Sequence, residues 1–221
     1  FKGIYKIDNC ITISKPNVHL DFNGCIFNIA DTGTGGTLTN GSTGKIGLLF
    51  KECDNLIIEG FAKCIGMGTV GSSSLAGMVF DHCDDAKIDF KYYCENMAAG
   101  RFVLWCNNSR FGDIRAYKMK GTQTFDSGTA GTAEVIIGNN NCDFGNIISL
   151  ENYKPIRYLS VAFDAELQAI DNKNCRFGFV YGTAATGSTE SSVIAVRSAV
   201  DCIFEGGYGE GFTCGLNIVK Y

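Results

Sequence analysis

Proline is nearly missing from this sequence, with 2 residues in 221, and tryptophan occurs once. The turns must therefore be made by other residues. Long apolar runs are missing too, and nothing approaches the ~20 consecutive apolar residues of a membrane-spanning helix. Basic residues are not in excess. The 19 Lys and Arg stand against 23 Asp and Glu, giving a formal net charge of −4 and a pI near 5.2. Such a chain offers no positive field to draw nucleic acid or an anionic membrane. No Cys-x-x-Cys pair occurs, and the two histidines, His19 and His82, are far apart in sequence, so neither a structural zinc site nor any other metal or cofactor is expected. The sequence opens at Phe1 without an initiator methionine or a signal peptide, and the chain is expected to be a piece of something longer whose targeting signals lie outside it.

Glycine and cysteine are plentiful. The 28 glycines, together with many Asn and Asp residues, predict frequent tight turns and so many short strands. The 11 cysteines are odd in number, which leaves at least one thiol unpaired within a monomer. Their places in the repeat described next suit small buried apolar residues, and thiols of that kind point to folding in a reducing compartment.

Six segments can be superimposed, beginning at Ile46, Ala76, Gly100, Ala133, Ala165 and Ser192, and a weaker copy begins at Ile11. Each reads as an apolar strand, a polar Asn/Asp turn and a second apolar strand. The starts are 30, 24, 33, 32 and 27 residues apart. A constant motif at variable spacing places the insertions in loops, which is how solenoids behave. Cys53 and Cys83 share one position of the repeat and Cys64 and Cys94 another, while Cys142, Cys175 and Cys202 share a third. In a parallel stack such positions recur at about 4.8 Å. Disulfides between neighbours are possible at that spacing, and buried thiol ladders are the simpler expectation. Phe111, Phe144, Phe177 and Phe204 are expected to stack, and Asp54-Asn55, Asp84-Asp85, Asn107-Asn108 and Asn139 to Asn141 to turn the chain.

Period-two alternation sends Leu48 and Phe50, Met78 and Phe80, Phe102 and Leu104, and Val135 and Ile137 inward. Leu49, Val79, Val103, Ile136 and Ala195 then face out, yet they too are apolar. A strand that is apolar on both faces is covered on both. Another subunit is the expected cover, most simply in a homotrimer. The alternative is that the Gly/Thr/Ser-rich segments, Asp31 to Gly44, Gly66 to Ser74, Gly121 to Thr132 and Gly182 to Ser191, fold back over the column. The predicted fold is all-β: one right-handed parallel β-helix of about seven coils, a single domain over 1–221 with its repeats over 11–211.

The segment ITISKPNVHLDFNGCIFNI from Ile11 and the NCRFGFV-type units resemble the right-handed, pectin-lyase-like β-helix superfamily, and within it phage tailspikes and tail fibres. This resemblance spans Ile11 to about Gly211 and says more about fold than function, because the scaffold hosts lyases, hydrolases, adhesins and spacers. Polygalacturonase-like hydrolases carry Asn-Thr-Asp, Gly-Gln-Asp-Asp, Ser-His-Gly and Arg-Ile-Lys. Here only Asp84-Asp85 echoes them, and no pectate-lyase arginine motif is found. The resemblance implies a tail spike or fibre component of a virion, acting outside the cell on bacterial surface polysaccharide. A secreted polysaccharide lyase or glycoside hydrolase, and a non-catalytic spacer or adhesin, are the alternatives.

Chemistry is looked for in Glu59, Asp89 and Asp113, which share one position of three consecutive repeats and are followed by Asn146. Neighbours in such a column lie about 5 Å apart and alternate members about 10 Å. Retaining and inverting glycosidases separate their carboxyls by about 5–5.5 and 6.5–9.5 Å. One carboxyl would protonate the leaving oxygen and another act as base or nucleophile. The plainer account of Asp113 and Asn146 is that they are turn residues ahead of Ile114 and Ile147. Trp105 is expected to point outward, either to stack on a sugar ring or to anchor an interface. Lys87, Lys91, Arg101, Arg115 and Lys118 are candidates to meet an anionic polysaccharide, or else scattered surface charge. His82 reads as a turn residue.

Overall fold

The computed structural model of the protein describes residues 2–30, 35–68, 75–120, 131–160, 162–163, 169–188 and 192–218. Among them every regular element is a strand. Two sheets dominate. One has eight strands, running from Ile11–Ile13 through Ile46–Lys51, Ala76–Asp81, Ala99–Leu104, Thr132–Ile137, Arg157–Ser160 and Ser192–Val196 to Cys214–Ile218. The other has thirteen, and its long strands Ile57–Gly66 and Lys87–Glu95 are continued in later repeats by pairs of shorter ones. Within both sheets all pairing is parallel. The chain alternates between the sheets, so each repeat hydrogen-bonds to the next rather than to itself.

The turn between the two strands of a repeat is built as the sequence suggests. Asn17, Asn55, Asp85, Asn108, Asn141, Asn174 and Asp201 all lie at φ between 51° and 57°. Asn and Asp tolerate this left-handed region because their short polar side chains bond nearby backbone. Several of them also bond to one another between repeats, as Asn55 Nδ2 does to Asn17 Oδ1 (3.2 Å) and Asn141 Nδ2 to Asn108 Oδ1 (2.9 Å).

Beyond each turn the expected phenylalanine column is present. Phe111, Phe144, Phe177 and Phe204 stack with ring centroids 5.3, 5.1 and 4.8 Å apart. Cys64 and Cys94 pair in register, and the positions following Cys142, Cys175 and Cys202 do so as well. All eleven cysteines are free thiols.

Two readings of the first strand are corrected. In the third repeat the register is one residue from that expected, because Val103 pairs with Phe80 and Phe102 with Val79. The inward column is therefore Phe50, Phe80, Val103, Ile136 and Leu159, and the outward one Leu49, Val79, Phe102, Val135 and Tyr158. Phe102, Leu104 and Val135 thus move to the outer cluster, with Ile137 packed partly buried against it, while Val103 and Ile136 move inward. Hydrophobicity cannot settle parity in a strand that is apolar on both faces. Cysteine could have settled it, since Cys106 follows Val103 by the same interval that separates Cys53 from Phe50 and Cys83 from Phe80. In the fifth repeat the place beside Thr132–Ile137 is taken by Arg157–Ser160 and not by the expected strand from Ala165, whose first four residues lie outside the described ones. Ala169–Ile170 instead pairs antiparallel with Ala162–Phe163, in a small sheet of its own.

The outward column is not exposed. Leu49, Val79, Phe102, Val135 and Tyr158 are each at most 2% accessible within this one chain. Part of the cover is the antiparallel pair Gly36–Thr37 and Thr43–Gly44, whose connecting Leu38 packs into the same cluster. A Cβ on Gly36 would lie 3.1 Å from Leu49 Cδ2, which shows how closely this hairpin sits. The inference of subunits from an exposed apolar column loses its premise here.

Candidate functional site

Glu59 and Asp89 are directly opposite one another across the parallel pair Ile57–Gly66 and Lys87–Glu95, and Asp21 lies opposite Glu59 on its other side. Strand spacing puts successive backbones about 4.8 Å apart, so these three carboxylates form a column on the outer face. His19 stands two residues before Asp21, opposite Ile57, and its Nε2 is 2.8 Å from Glu59 Oε1. A neighbouring outward column runs Ile57, Lys87, Arg110, Asp143 and Arg176 in register. Between the columns lie two adjoining open clefts. The larger, about 890 Å³, is walled by Glu59, Lys87, Asp89, Arg110 and Asp143. The smaller, about 570 Å³, is walled by Asp89, Lys91, Arg110, Asp113, Asp143 and Arg176. Acidic and basic side chains therefore share the walls of one trough.

Asp113 reaches the trough but leaves the column. Ile88 pairs with Phe111 and Tyr92 with Ile114, so Lys87–Glu95 carries one residue more than the paired stretch between these points, and Asp113 does not fall opposite Asp89. It stacks instead on Asn146, whose backbone N–H donates to Asp113 Oδ1 (2.7 Å). Asn146 Oδ1 in turn accepts the N–H of Phe179 (2.8 Å). These side chains cap the bend that divides the later strands. The bend itself needs glycine: a Cβ on Gly145 would lie 2.5 Å from Asp113 Oδ1, and one on Gly178 2.8 Å from Asn146 Oδ1.

Behind the bend lies a group that the sequence reading missed. Arg101, Glu134 and Arg157 occupy successive register positions in the eight-stranded sheet, pointing into the core, and all three are fully buried. Arg101 Nε donates to Glu134 Oε1 (2.9 Å), and its Nη2 makes a second bond to the same oxygen. Arg157 Nε donates to Glu134 Oε2 (2.7 Å). The remaining guanidinium N–H groups cross the core to the bend carbonyls, at Gly112 (3.0 Å), Gly178 (2.9 Å) and Gly145 (2.6 Å). Burial alone would raise the pKa of Glu134, but the two guanidiniums outweigh it and hold the carboxyl below its ordinary value. Arg101 is thus withdrawn from the set of surface cations that might meet a polysaccharide. Lys87 and Lys91 do line the trough, whereas Arg115 and Lys118 do not.

Trp105 is half-buried on the outer side of the sheet, packed against the outward apolar cluster, and lines neither cleft. It sits at the end of Ala99–Leu104 with φ 52°, stacked on His82, which has φ 53° one repeat earlier (centroids 5.2 Å apart). His82 Nδ1 is 2.7 Å from Oδ1 of the fully buried Asp81. Asp81 Oδ2 accepts from the N–H (2.6 Å) and the Oγ1–H (2.9 Å) of Thr39, in the hairpin that covers the outward apolar column. The bond to Asp81 raises the pKa of His82 above its ordinary value despite partial burial. His82 is a turn residue, as expected, and also a clasp.

The structure therefore brings together Glu59, Asp89 and, at the trough's margin, Asp113, and it separates Trp105 from them. Arg110, Asp143 and Arg176 were not foreseen. Their signal was the same position of the NSRF, NCDF and NCRF units, occupied by charge of alternating sign. Among the described residues no group of three or more His, Cys, Asp or Glu is placed to hold a metal ion. No family model, curated protein or solved structure matches the chain. Function has to be argued from the trough alone.

Proposed function

We propose that the chain is a right-handed parallel β-helix of about seven coils, serving as a phage tail spike or tail fibre component that binds bacterial surface polysaccharide outside the cell. The observation that carries this reading is the trough. It runs along the direction in which repeats stack, crosses several register-paired strands, and is walled by exposed Glu59, Lys87, Asp89, Arg110 and Asp143. An open, extended, polar channel suits a polymer with many hydroxyls and charges better than a compact ligand, which prefers an enclosed apolar pocket.

Cleavage, where it occurs, is assigned to Glu59 and Asp89. A spacing near 4.8 Å between their strands approaches the ~5–5.5 Å carboxyl separation of retaining glycosidases. One carboxyl would protonate the glycosidic oxygen and the other attack the anomeric carbon, with His19 orienting Glu59. Asp113 is assigned to the bend. Assembly as a homotrimer belongs to the same proposal. Its contact lies away from the covered column, at the exposed Ile148, Leu150, Tyr181 and Tyr208 on the outer face of the thirteen-stranded sheet.

The test is incubation with a panel of capsular and O-antigen polysaccharides, reading both retention of polymer by the protein and release of oligosaccharides. Release abolished by Glu59→Gln or Asp89→Asn supports catalysis in the trough. Retention without release, weakened by Arg110→Ala, supports binding alone. Neither effect with any polymer overturns the reading in favour of a spacer. Light scattering that gives a monomer removes the trimer from it.

A further inference from the structure

Two columns of three thiols run along the stacking direction, and they differ in one respect. Cys53, Cys83 and Cys106 are all fully buried. Cys142 and Cys175 are buried at 1% and 2% exposure, but Cys202, which ends the second column, is partly exposed. The second column is geometrically regular. Each sulfur lies near the carbonyl two residues before it, at Asn140 (3.4 Å), Lys173 (3.1 Å) and Val200 (3.3 Å). Each also lies near a carbonyl of the preceding repeat, at Cys106 (3.3 Å), Asn139 (3.7 Å) and Asn172 (3.4 Å). The three side chains thus share one orientation. The residues immediately following them, Asp143, Arg176 and Ile203, are paired in register. Neighbouring Cα atoms therefore lie near the ~4.8 Å strand spacing, inside the 4.4–6.8 Å that a disulfide spans.

We propose that Cys142, Cys175 and Cys202 form an oxidation site in which a disulfide links successive repeats through Cys175, with Cys202 as the point of entry for a small-molecule disulfide such as oxidised glutathione. In the first step the Cys202 thiolate attacks one glutathione sulfur, forming a mixed disulfide and releasing the other glutathione as thiol. In the second the Cys175 sulfur attacks Cys202, forming the Cys175–Cys202 bond and releasing the second glutathione. Two electrons pass from the cysteine pair to the reagent, and the two thiol protons leave on the two glutathiones. Cys142 stands on the far side of Cys175 and can then displace Cys202, its proton passing to Cys202 and the disulfide moving inward to Cys142–Cys175.

The pKa of Cys175, the attacking sulfur of the second step, is pushed up to about 12 by its contact with Cys142, so that step quickens as pH rises. Contact with Cys175 holds the Cys202 thiol well above its ordinary pKa, so entry is slow at neutral pH and quickens as pH rises. The neighbouring Cys175 thiol holds Cys142 below its ordinary pKa, which makes it the better thiolate for the inward exchange. The fully buried column has no such entrance and provides the internal control.

The experiment uses the 221-residue chain with Cys10→Ser and Cys214→Ser, which removes the other two thiols that are not buried. Folded protein is held with oxidised glutathione at about pH 7 and about pH 8.5, then alkylated, digested and mapped by mass spectrometry. The expected result is Cys175 linked to Cys202 or Cys142, faster at the higher pH, with Cys53, Cys83 and Cys106 alkylated as free thiols. Adding Cys202→Ser should suppress the linkage at least tenfold while leaving the melting transition in place. A stable glutathione adduct on Cys202 with Cys175 still free would overturn the proposal. So would a Cys142–Cys175 link forming at an undiminished rate without Cys202.

Discussion

The two large sheets have the same strand geometry, the same parallel pairing and the same period-two alternation, yet their outer faces have opposite fates. On the eight-stranded sheet the outer column of Leu49, Val79, Phe102, Val135 and Tyr158 is buried within this one chain, in part beneath the hairpin of residues 35–44. On the thirteen-stranded sheet the outer positions Lys87, Asp89, Arg110, Asp143 and Arg176 face solvent and wall a trough. The difference lies in the insertions. They enter the chain before strands of the eight-stranded sheet, and the hairpin within residues 35–44 turns back over that sheet and is clipped to Asp81. A covered face and an open face thus arise from one repeat, by decorating one joint of it.

The largest effect is expected at the group that ties the two faces together. Arg101 and Arg157 reach from the covered sheet to the bend carbonyls beneath the trough, and Glu134 holds both. Glu134→Ala would leave two guanidiniums buried without their counter-ion, which costs about 3–5 kcal/mol. Chemical denaturation should show a loss of that order. Replacing all three charged residues together by apolar ones of similar volume should restore much of it, because the desolvation penalty goes with them.

A smaller loss should confine itself to the covered face. Asp81→Ala deprives Thr39 and His82 of their acceptor, and an unmade buried hydrogen bond costs about 1–3 kcal/mol. The hairpin at residues 35–44 should then become susceptible to protease while the trough keeps whatever affinity it has. The clasp also carries a pH signature. The folded pKa of His82 is raised, so its contribution is complete below the ordinary histidine value and is lost as pH climbs through the raised one. Melting temperature in the unsubstituted protein should therefore fall across that window, and Asp81→Ala should flatten this part of the profile.

Much of this comparison is legible in the sequence, and the exceptions have physical causes. The Asn/Asp turns and the Phe111–Phe204 stack could be read because one residue type serves one backbone or packing need in repeat after repeat. Parity in the third repeat could not be read from hydrophobicity, since Phe102 and Val103 are equally apolar and both faces are dry. The fifth repeat failed for a related reason: Ala165–Ile170 looks as strand-like as Arg157–Ser160, and only pairing decides between them. Arg101 looked like a surface cation because single buried arginines are rare. Its meaning depends on Glu134 and Arg157 standing at the same inward position of the next two repeats, which becomes visible only once parity is right. Asp113 was misplaced by the single extra residue in Lys87–Glu95, a shift that leaves no trace in composition.

The smallest effects separate the carboxylates of the trough from one another. Asp113 accepts the N–H of Asn146 and belongs to the bend, so Asp113→Ala should cost about 0.5–1.5 kcal/mol, the worth of one hydrogen bond. Asp113→Asn should cost less, because an amide oxygen can still accept. Asp89 is exposed, and its side chain lies beside Glu59 in a column where like charges repel. Asp89→Ala should therefore leave stability within about 0.5 kcal/mol of the unsubstituted protein, and a slight gain is the more informative side of that range. Carboxylates that sit together without structural benefit would support the proposed polymer site. If Asp89→Ala instead destabilises the fold as much as Asp113→Ala, measured by the same denaturant midpoints, the acidic column is architecture throughout, and the trough has no claim to chemistry.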